Sequence, residues 1–265
     1  HNTGEIELSL NADGNLGYEE FQGDSPGRGF RYKGIDYLIE GGLIMGTGPG
    51  KISDNVRGPS GVIEDDFVRV EGTQFGIDDG RVTTEEGRLD IADDNAAASN
   101  NINVRLDSYA DTSNVNNDFV ILRYTIENTG TTPINNFHAG LFFDWDSIDP
   151  GADNAAYDAA RQMGIFEAGT SGVRVGTRLL TDNAAPNFRA IDNGAELFED
   201  GFTNQEKWDF ISGGVQTTTL NQVDISTLMS AGPYTIEPGN SVEVAFAIVA
   251  GETAGELETH ADAAQ

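Results

Sequence analysis

The sequence lacks cysteine and is poor in basic residues, with 15 lysine and arginine residues against 44 aspartate and glutamate residues. Without cysteine the chain has no disulfide, no thiolate nucleophile and no cysteine-based metal site. The formal net charge of −29 repels phosphate backbones and anionic lipid head groups, so we expect neither nucleic acid nor a membrane surface as a main partner. No apolar run approaches the roughly 20 residues of a membrane-spanning helix, so membrane insertion is not expected either.

The excess of acid also predicts the solvent in which the protein works. The only lysines are Lys33, Lys51 and Lys207. Repulsion among acidic side chains weakens the folded state at a Debye length of about 8 Å, and molar salt shortens that length to about 3 Å. We therefore expect a halophilic protein adapted to high salt. An acidic protein of ordinary medium, held together by divalent cations, is the alternative.

The start of the chain and its composition predict export. The chain begins at His1, without an initiator methionine and without the apolar core of a signal peptide, so we expect a processed mature chain or an excised segment. Short segments rich in threonine, asparagine and glycine suit a module that works outside the cell. We therefore expect a secreted protein at the extracellular surface.

Alternating polar and apolar residues predict that the chain is mostly strand. The alternation is clearest over residues 5–10, 118–128 and 241–250, and a period of two places one face of each strand in a core. A second long strand pattern, over residues 134–145, follows a five-residue turn sequence. Residues 118–145 are therefore predicted to form a hairpin.

Helix signals are few. Thr203 with Glu206, and likewise Thr253 with Glu256, have the spacing of a capping box before a short helical pattern. A third short helix is predicted over residues 155–163. The sequence thus contains two or three short helices, one of them at its C-terminal end.

These patterns together predict the fold class. We expect an all-β protein, an antiparallel β-sandwich of many strands with two or three short helices. No repeat and no linker divides the chain, so residues 1–265 are predicted to form a single domain. Polar loop insertions are expected near 71–101 and 146–160.

Several sequence blocks resemble one known family in their residues and spacing. The blocks are 29–32, 37–46, 52–57, 124–128, 140–146, 200–203, 206–208 and 244–247. Together they resemble the accessory β-sandwich region of large secreted bacterial proteins, many of which carry a subtilisin-like peptidase domain upstream and a type IX secretion sorting domain downstream. The resemblance extends from about residue 4 to 265. It implies the sandwich architecture and export, and it implies no defined activity for this region.

The motifs of common hydrolases are missing. The histidines are His1, His138 and His260, and the sequence has no Gly-x-Ser-x-Gly and no His-Glu-x-x-His pattern. The surroundings of the serines do not match a subtilisin-type triad. His138 follows Phe137 in a predicted strand, where a structural role is expected. We therefore predict no catalytic residue, no cofactor-binding residue and no enzyme activity.

Acidic residues crowd the end of the strand 134–145 and the loop after it. Ca²⁺ takes about 6–8 oxygen ligands, which a loop rich in Asp, Asn and backbone carbonyl groups supplies. The predicted calcium ligands are Asp144, Asp146, Asp149, Asp153, Asn154 and Asp158. A solvated acidic loop without a cation is the alternative.

Two further hypotheses centre on Trp145. Together with Tyr157 it is a candidate platform for a sugar ring, with core packing as the alternative for both side chains. Asp144 and Asp146, on either side of it, point to the same side of an extended strand about 7 Å apart. That separation falls within the roughly 5–9.5 Å between the two carboxyl groups of glycosidases.

The leading functional prediction is a non-catalytic secreted module with a structural or adhesive role at the cell surface. It would be a subunit of an extracellular assembly such as a filament, or an accessory domain of a larger exported protein. The strand at 4–10 is a candidate edge for self-association or for pairing with other surface proteins. One alternative is a calcium-dependent carbohydrate-binding domain whose partner is a glycan. The second alternative is a glycoside-acting enzyme that uses Asp144 and Asp146.

Overall fold

The structure is a computed structural model that describes residues 1–16, 29–113, 116–182, 184–198 and 201–265. Its strands are β1 (Asn2–Thr3), β2 (Ile6–Leu8), β3 (Phe30–Tyr32), β4 (Ile35–Asp36), β5 (Leu38–Gly48), β6 (Lys51–Asp54), β7 (Val68–Arg69), β8 (Gly76–Asp79), β9 (Glu85–Ala92), β10 (Ile102–Ala110), β11 (Phe119–Asn128), β12 (Ile134–Trp145), β13 (Asn154–Asp158), β14 (Met163–Glu167), β15 (Arg174–Leu179), β16 (Pro186–Asp192), β17 (Thr219–Asn221), β18 (Ile225–Ile236) and β19 (Ser241–Gly251). Its helices are α1 (Asn193–Glu196), α2 (Asn204–Ser212) and α3 (Ala254–Ala263), and a 3₁₀ turn spans Pro150–Ala152. Asp200, in one of the resemblance blocks, lies outside the described residues.

Two large sheets face each other, and a small sheet lies beside them. The larger has ten strands in the order β17-β13-β14-β15-β19-β11-β10-β9-β7, with β8 also paired to β9, and the other has five in the order β16-β18-β12-β5-β6. Strands β1 to β4 form the four-stranded sheet. The ladders between these strands are antiparallel. The predicted antiparallel β-sandwich with short helices is confirmed.

The core lies between the two large sheets, where alternating side chains meet. Leu122 of β11 faces Phe246 of β19 in the register of the ten-stranded sheet, and the ring of Tyr124 packs edge-on against Phe246. From the five-stranded sheet, Phe143 and Trp145 of β12 enter the same buried cluster. The face that alternation predicts to be buried on β11 is therefore the inner face.

The helices cover the outer faces of the two sheets. Phe210 and Ile211 of α2 join Phe142 of β12 in a second buried cluster on the outer face of the five-stranded sheet. Leu257 and Ala261 of α3 pack on the outer face of the ten-stranded sheet. None of the helices in the described part of the chain has the length and apolar composition that a membrane crossing needs.

Both predicted capping sites begin a helix. The hydroxyl of Thr203 accepts from the backbone N–H of Glu206 at 3.3 Å, and Glu206 accepts from the backbone N–H of Thr203 at 2.9 Å. The hydroxyl of Thr253 accepts from the backbone N–H of Glu256 at 3.2 Å. The third predicted helix, over 155–163, is wrong. Those residues belong to β13, a turn and the start of β14, because packing of a strand pair into the core overrides the helix propensity of alanine.

Three further details of topology differ from the prediction. β11 and β12 do not form a hairpin, since the connection 129–133 crosses from the ten-stranded to the five-stranded sheet. The two predicted loop insertions contain β8 and β9 (within 71–101) and β13 (within 146–160). The strand at 4–10 is not an edge, because β2 lies between β1 and β3. Self-association through edge strands stays a prediction.

Candidate functional site

An open pocket of about 630 Å³ lies at one end of the five-stranded sheet, on its outer face. β12 ends there and β18 begins, since Asp144 pairs with Ser226, and Asp144 also faces Glu40 near the start of β5. The segment that carries Arg57 and the residues after α1, including Phe198, form further walls. This cavity is termed the Asp144 pocket. Its lining residues are Ile39, Arg57, Pro59, Ser60, Gly61, Asp144, Asp146, Pro150, Leu197, Phe198, Gly201 and Asp224.

Asp144 is only 3% exposed, and its carboxyl group has polar contacts on both oxygens. Oδ2 accepts from the guanidinium group of Arg57. Oδ1 accepts from Nδ2 of Asn193 at 2.7 Å, and Oγ of Ser226 lies 3.1 Å from the same oxygen. Its partners come from β18, from the start of α1 and from the segment after β6. Several separate elements therefore fix the position of this carboxyl group.

Arg57 lies between two acidic side chains that the strand register places side by side. Glu40 is fully buried and accepts from the backbone N–H of Arg57 and from its Nε, the latter at 2.8 Å. Asp144 accepts from another nitrogen of the same guanidinium group. Buried charges are tolerated when they are paired and hydrogen bonded. Two buried acidic side chains therefore share one arginine.

Burial raises the pKa of Asp144 to about 7. The positive charge of Arg57 lowers this pKa, whereas the negative charges of Glu40 and Asp224 raise it. A carboxyl group with a pKa near 7 is partly protonated at neutral pH, so it can donate or accept a proton there. Burial also raises the pKa of Asp224, against the hydrogen bond from Asn193 and the charge of Arg57.

The side-chain amide of Asn193 bridges the carboxyl groups of Asp144 and Asp224. Its Nδ2 lies 2.7 Å from Oδ1 of Asp144 and 2.7 Å from Oδ1 of Asp224. The two acceptor oxygens are therefore at most twice that distance apart, so the two carboxyl groups are close neighbours. Oγ of Ser226 donates to Oδ1 of Asn193 at 2.7 Å and fixes the orientation of the amide. Both carboxyl groups line the pocket.

The structure separates the predicted calcium ligands. Asp158 lies at the far end of β13, where it pairs with Arg161 at 2.9 Å, and Asp144 pairs with Arg57. In the ranges that the structure describes, no three His, Asp or Glu side chains form a group suited to a metal ion. The calcium site stays a prediction.

The other four predicted ligands lie around the 3₁₀ turn. Asp146 lines the Asp144 pocket, Asp149 immediately precedes the turn, and Asn154 begins β13. Asp153 is 0% exposed, and its Oδ1 accepts from Oγ of Ser147 at 2.7 Å. Only Asp144 and Asp146 of the six therefore line the pocket.

The two predicted platform residues pack against other aromatic rings. Trp145 is 1% exposed, its ring stacks between Phe143 and Phe166, and its Nε1 donates to Oγ1 of Thr227 at 2.7 Å. A ring enclosed in the core offers no face to a sugar, so the prediction of Trp145 as a platform is wrong. Tyr157 is partly exposed, with its ring stacked 4.9 Å from Phe188.

Sequence reasoning missed most of the residues around Asp144. Glu40 had a usable signal, because it is an acidic residue inside the apolar segment 38–45. Arg57, Asn193 and Asp224 have no comparable local pattern. Their positions along the chain are far from Asp144, and only the sheet brings them together.

Comparison with protein-family models gives no match, and comparison with curated protein sequences gives no significant match. Solved structures with a similar fold are known. A bacterial glucoamylase complexed with acarbose has a TM-score of 0.60 at 11% identity, over 98% of this chain and 32% of that one. A putative aldose 1-epimerase from Escherichia coli K12 has a TM-score of 0.51 at 10% identity, over 94% of this chain and 97% of that one.

The TM-scores show a shared fold at low sequence identity. This chain spans only 32% of the glucoamylase chain. The two similar structures also correct the prediction that the chain is not an enzyme. The expectation that the chain is not an enzyme rested on missing motifs and on the sandwich being an accessory module. Both structures bear the names of enzymes that act on carbohydrates, so a sandwich of this kind is no argument against catalysis.

Proposed function

We propose that this chain acts on a carbohydrate in the Asp144 pocket and cleaves a glycosidic bond there. The observation that carries the proposal is the pair of carboxyl groups, Asp144 and Asp224, that Asn193 holds on the wall of an open cavity. The cavity volume of about 630 Å³ lies within the range of roughly 300–1,000 Å³ for small-molecule sites. The fold shared with a glucoamylase structure supports a carbohydrate as the substrate.

The two carboxyl groups would divide the reaction. Protonated Asp144 donates its proton to the glycosidic oxygen while the bond from that oxygen to the anomeric carbon breaks. The carboxylate of Asp224 bonds to the anomeric carbon and gives a glycosyl ester. Water then attacks that carbon, Asp144 accepts the proton of the water, and Asp224 leaves as a carboxylate.

Arg57 and Asn193 would act as positioning residues. Arg57 binds Asp144 and Glu40 together, which keeps the pKa of Asp144 from rising further. Asn193 sets the distance between the two reacting carboxyl groups. This assignment differs from the one made on the sequence, because Asp224 replaces Asp146 as the second carboxyl group.

The experiment is hydrolysis of a panel of aryl glycosides and oligosaccharides by the wild type and by Asp144→Asn and Asp224→Asn. Loss of a general acid or a nucleophile lowers the rate by about 10²–10⁴-fold, so each variant should lose at least 100-fold in kcat. Asp94→Asn is the matched control, because it removes an exposed carboxyl group outside the pocket. Hydrolysis that survives in both pocket variants, with retention of fold by circular dichroism, would exclude this assignment.

A sugar-binding domain without turnover is the second candidate function. The observation that favours it is the ring of Phe198, which lines the pocket and is 58% exposed. Aromatic rings pack on the apolar faces of ligands in many binding sites. Binding of an oligosaccharide that is abolished by Phe198→Ala, with no hydrolysis of any glycoside, would support this second candidate over the first.

We also propose that the protein works outside the cell, in high salt, as part of a larger exported protein. The acidic composition, the resemblance of its sequence blocks to the accessory sandwich of large secreted proteins, and the presence of such a sandwich within a longer glucoamylase chain support this. Detection of the native protein in the culture supernatant tests export, its full length by mass spectrometry tests the larger protein, and the dependence of its melting temperature on salt tests the third part.

A further inference from the structure

We propose that the protein has a second activity as a serine esterase, in which Ser108 attacks esters of short acyl groups, His1 acts as the base and Glu85 positions the histidine. Ser108 belongs to β10, Glu85 begins β9, and His1 directly precedes β1. None of the three lines the Asp144 pocket. The inference is therefore independent of the proposed function.

The side chain of His1 connects the other two side chains through hydrogen bonds. Its Nε2 lies 2.8 Å from Oγ of Ser108, and its Nδ1 lies 3.1 Å from Oε2 of Glu85. With the ring proton on Nδ1, the imidazole donates to Glu85 and accepts from the hydroxyl of Ser108. A serine next to a base that a carboxylate orients is the arrangement that activates serine as a nucleophile.

Backbone groups hold the histidine and the glutamate in place. The amino group of His1 donates to the carbonyl oxygen of Leu8 at 2.7 Å, and the backbone N–H of Leu8 donates to the carbonyl oxygen of His1 at 2.9 Å. The backbone N–H of Asn2 donates to Oε2 of Glu85 at 3.0 Å. The same carboxylate oxygen thus binds the imidazole and the backbone beside it, which fixes the orientation of both side chains.

A glycine leaves the space that the serine and the histidine occupy. Gly87 lies opposite Ser108 in the ladder between β9 and β10. A Cβ atom at residue 87 would lie 2.3 Å from Oγ of Ser108 and 3.5 Å from Nε2 of His1. Glycine inside a strand weakens the strand and often marks a close approach. Here it allows the hydroxyl and the imidazole to meet.

The serine lies at the buried end of an apolar cavity of about 230 Å³. Ser108 carries the only hydroxyl group among the described residues that line this cavity. The cavity reaches the surface beside Phe75 and Ile77, which are partly exposed. The apolar lining residues are Leu10, Phe75, Ile77, Leu89 and Leu106.

The size and lining of the cavity indicate the substrate class. Its volume of about 230 Å³ is below the roughly 300–1,000 Å³ of sites for drug-sized ligands. Apolar walls favour a hydrocarbon group over a sugar or a charged group. A short acyl chain fits both properties, and its carbonyl carbon would lie at the end of the cavity that Ser108 forms.

The reaction balances within these three side chains and one water molecule. Oγ of Ser108 bonds to the acyl carbon while the proton of the hydroxyl passes to Nε2 of His1. The bond from the acyl carbon to the alcohol oxygen breaks, and the alcohol leaves with that proton. Water then attacks the acyl carbon, gives its proton to His1 and releases the carboxylic acid, and the proton returns to Ser108. The carboxylate of Glu85 stays ionised throughout.

The first experiment is labelling of the wild-type protein with a fluorophosphonate, which forms a covalent bond with an activated serine. Peptide mapping by mass spectrometry should find the adduct on Ser108. Labelling should disappear in Ser108→Ala. An adduct confined to other residues, or no adduct at all, would overturn the inference without any need for a variant.

The second experiment is hydrolysis of p-nitrophenyl acetate, butyrate and decanoate. The butyrate ester should react at least tenfold faster than the decanoate, because the cavity is small. Loss of the nucleophile or of its base lowers a rate by about 10²–10⁴-fold, so Ser108→Ala and His1→Asn should each lose at least 100-fold in kcat. Hydrolysis by Ser108→Ala at the wild-type rate would refute the esterase.

Two further variants separate catalysis from structure. Ser230→Ala is the matched control, because Ser230 is equally buried and its hydroxyl donates to the carbonyl oxygen of Ile211 at 2.7 Å. This variant should lose stability as Ser108→Ala does and keep esterase activity. Glu85→Gln should lower kcat at least tenfold and leave KM within twofold, since Glu85 does not line the cavity.

The Asp144 pocket provides the test of independence. Asp144→Asn should keep full esterase activity, and Ser108→Ala should keep any hydrolysis of glycosides. Equal loss of ester hydrolysis in Ser108→Ala and Ser230→Ala would assign the hydrogen bonds of Ser108 to stability alone and overturn the inference, whatever the outcome for glycosides.

Discussion

The ammonium group of Lys207 lies 2.7 and 2.8 Å from the two carboxylate oxygens of Asp54, and both side chains are excluded from solvent. Lys207 belongs to α2 and Asp54 to β6, so this ion pair joins the helix to the outer face of the five-stranded sheet. The ring of Phe202 lies 5.5 Å from the same ammonium group. Because water does not reach either group, the charge of Lys207 is stabilised by the carboxylate of Asp54.

Removing Lys207 should therefore be strongly destabilising. Lys207→Met leaves the carboxyl group of Asp54 buried without its cation, and breaking a buried pair in this way costs about 3–5 kcal/mol. The double variant Lys207→Met with Asp54→Asn should recover most of that loss. Urea denaturation in a fixed salt concentration measures both.

Lys33 supplies the matched control for that experiment. Its ammonium group pairs with Glu252 at 2.6 Å, and both side chains are largely exposed. Exposed pairs contribute about 0–1 kcal/mol, so Lys33→Met should change stability little. Equal losses for Lys207→Met and Lys33→Met would contradict the structural role given to the buried pair.

The stability of the protein should fall as the pH rises from 5 to 7. Burial raises the pKa of Asp144 to about 7 and those of Asp54 and Asp153 to about 6, above the usual value of about 3.9. In this window the folded state binds more protons than the unfolded state, so unfolding becomes easier as protons are lost. Melting temperatures at constant ionic strength should be higher at pH 5 than at pH 7.

The contribution of the raised aspartate pKa values can be checked with a variant and at lower pH. Asp144→Asn should flatten the slope between pH 5 and 7. Below about pH 4 the sign reverses for Asp111, whose hydrogen bonds, chiefly from Thr84, lower its pKa to about 2, because the folded state then binds fewer protons than the unfolded state. A melting temperature that climbs steadily from pH 5 to pH 7 would be incompatible with these pKa values.

Salt should stabilise the protein strongly. The formal net charge of −29 makes the surface repel itself, and molar salt reduces the Debye length to about 3 Å. We expect the melting temperature to rise steeply from dilute buffer to molar KCl, with NaCl acting alike. A flat response in both salts would remove the case for a halophilic protein.

Substitution of Trp145 should lower stability and leave sugar binding unchanged, and substitution of Phe198 should do the reverse. Trp145→Ala removes a buried ring and its hydrogen bond to Thr227, at a cost of about 3–5 kcal/mol, and at a temperature where the variant is folded it should bind sugars as the wild type does. Phe198→Ala removes a ring that is 58% exposed, so it should leave stability nearly unchanged and weaken sugar binding. Differential scanning calorimetry and sugar titration on the same samples give both readouts.

The parts of the fold that sequence could predict are those set by local patterns. Alternation identifies which side chains of β11 and β19 face the core, and the spacing of Thr203 and Glu206 identifies the start of α2. Alternation carries no information about which strand lies alongside, and for this reason the predicted hairpin over 118–145 is wrong. Strand partners depend on the whole sheet.

The residues of the Asp144 pocket likewise come together only in the folded structure. Asp144 stands out in the sequence because it lies near the end of a long strand, directly after the apolar residues 141–143. Its partner Asn193 is 49 positions away, and Arg57 is 87 positions away in the other direction. The sequence suggests Asp144 and Asp146 as a catalytic pair because they are two residues apart on one strand. In the structure, the side chain of Asn193 instead bridges Asp144 and Asp224.

The position of the short connection 129–133 predicts how the protein behaves when the chain is cleaved there. In the five-stranded sheet, β5 from the part of the chain before residue 129 pairs with β12 from the part after residue 133. In the ten-stranded sheet, β11 and β19 pair across the same division. Each large sheet therefore contains strands from both halves of the polypeptide. Neither half holds a complete copy of either large sheet. A single cut in that connection should leave two fragments that stay associated and that unfold together in one cooperative transition.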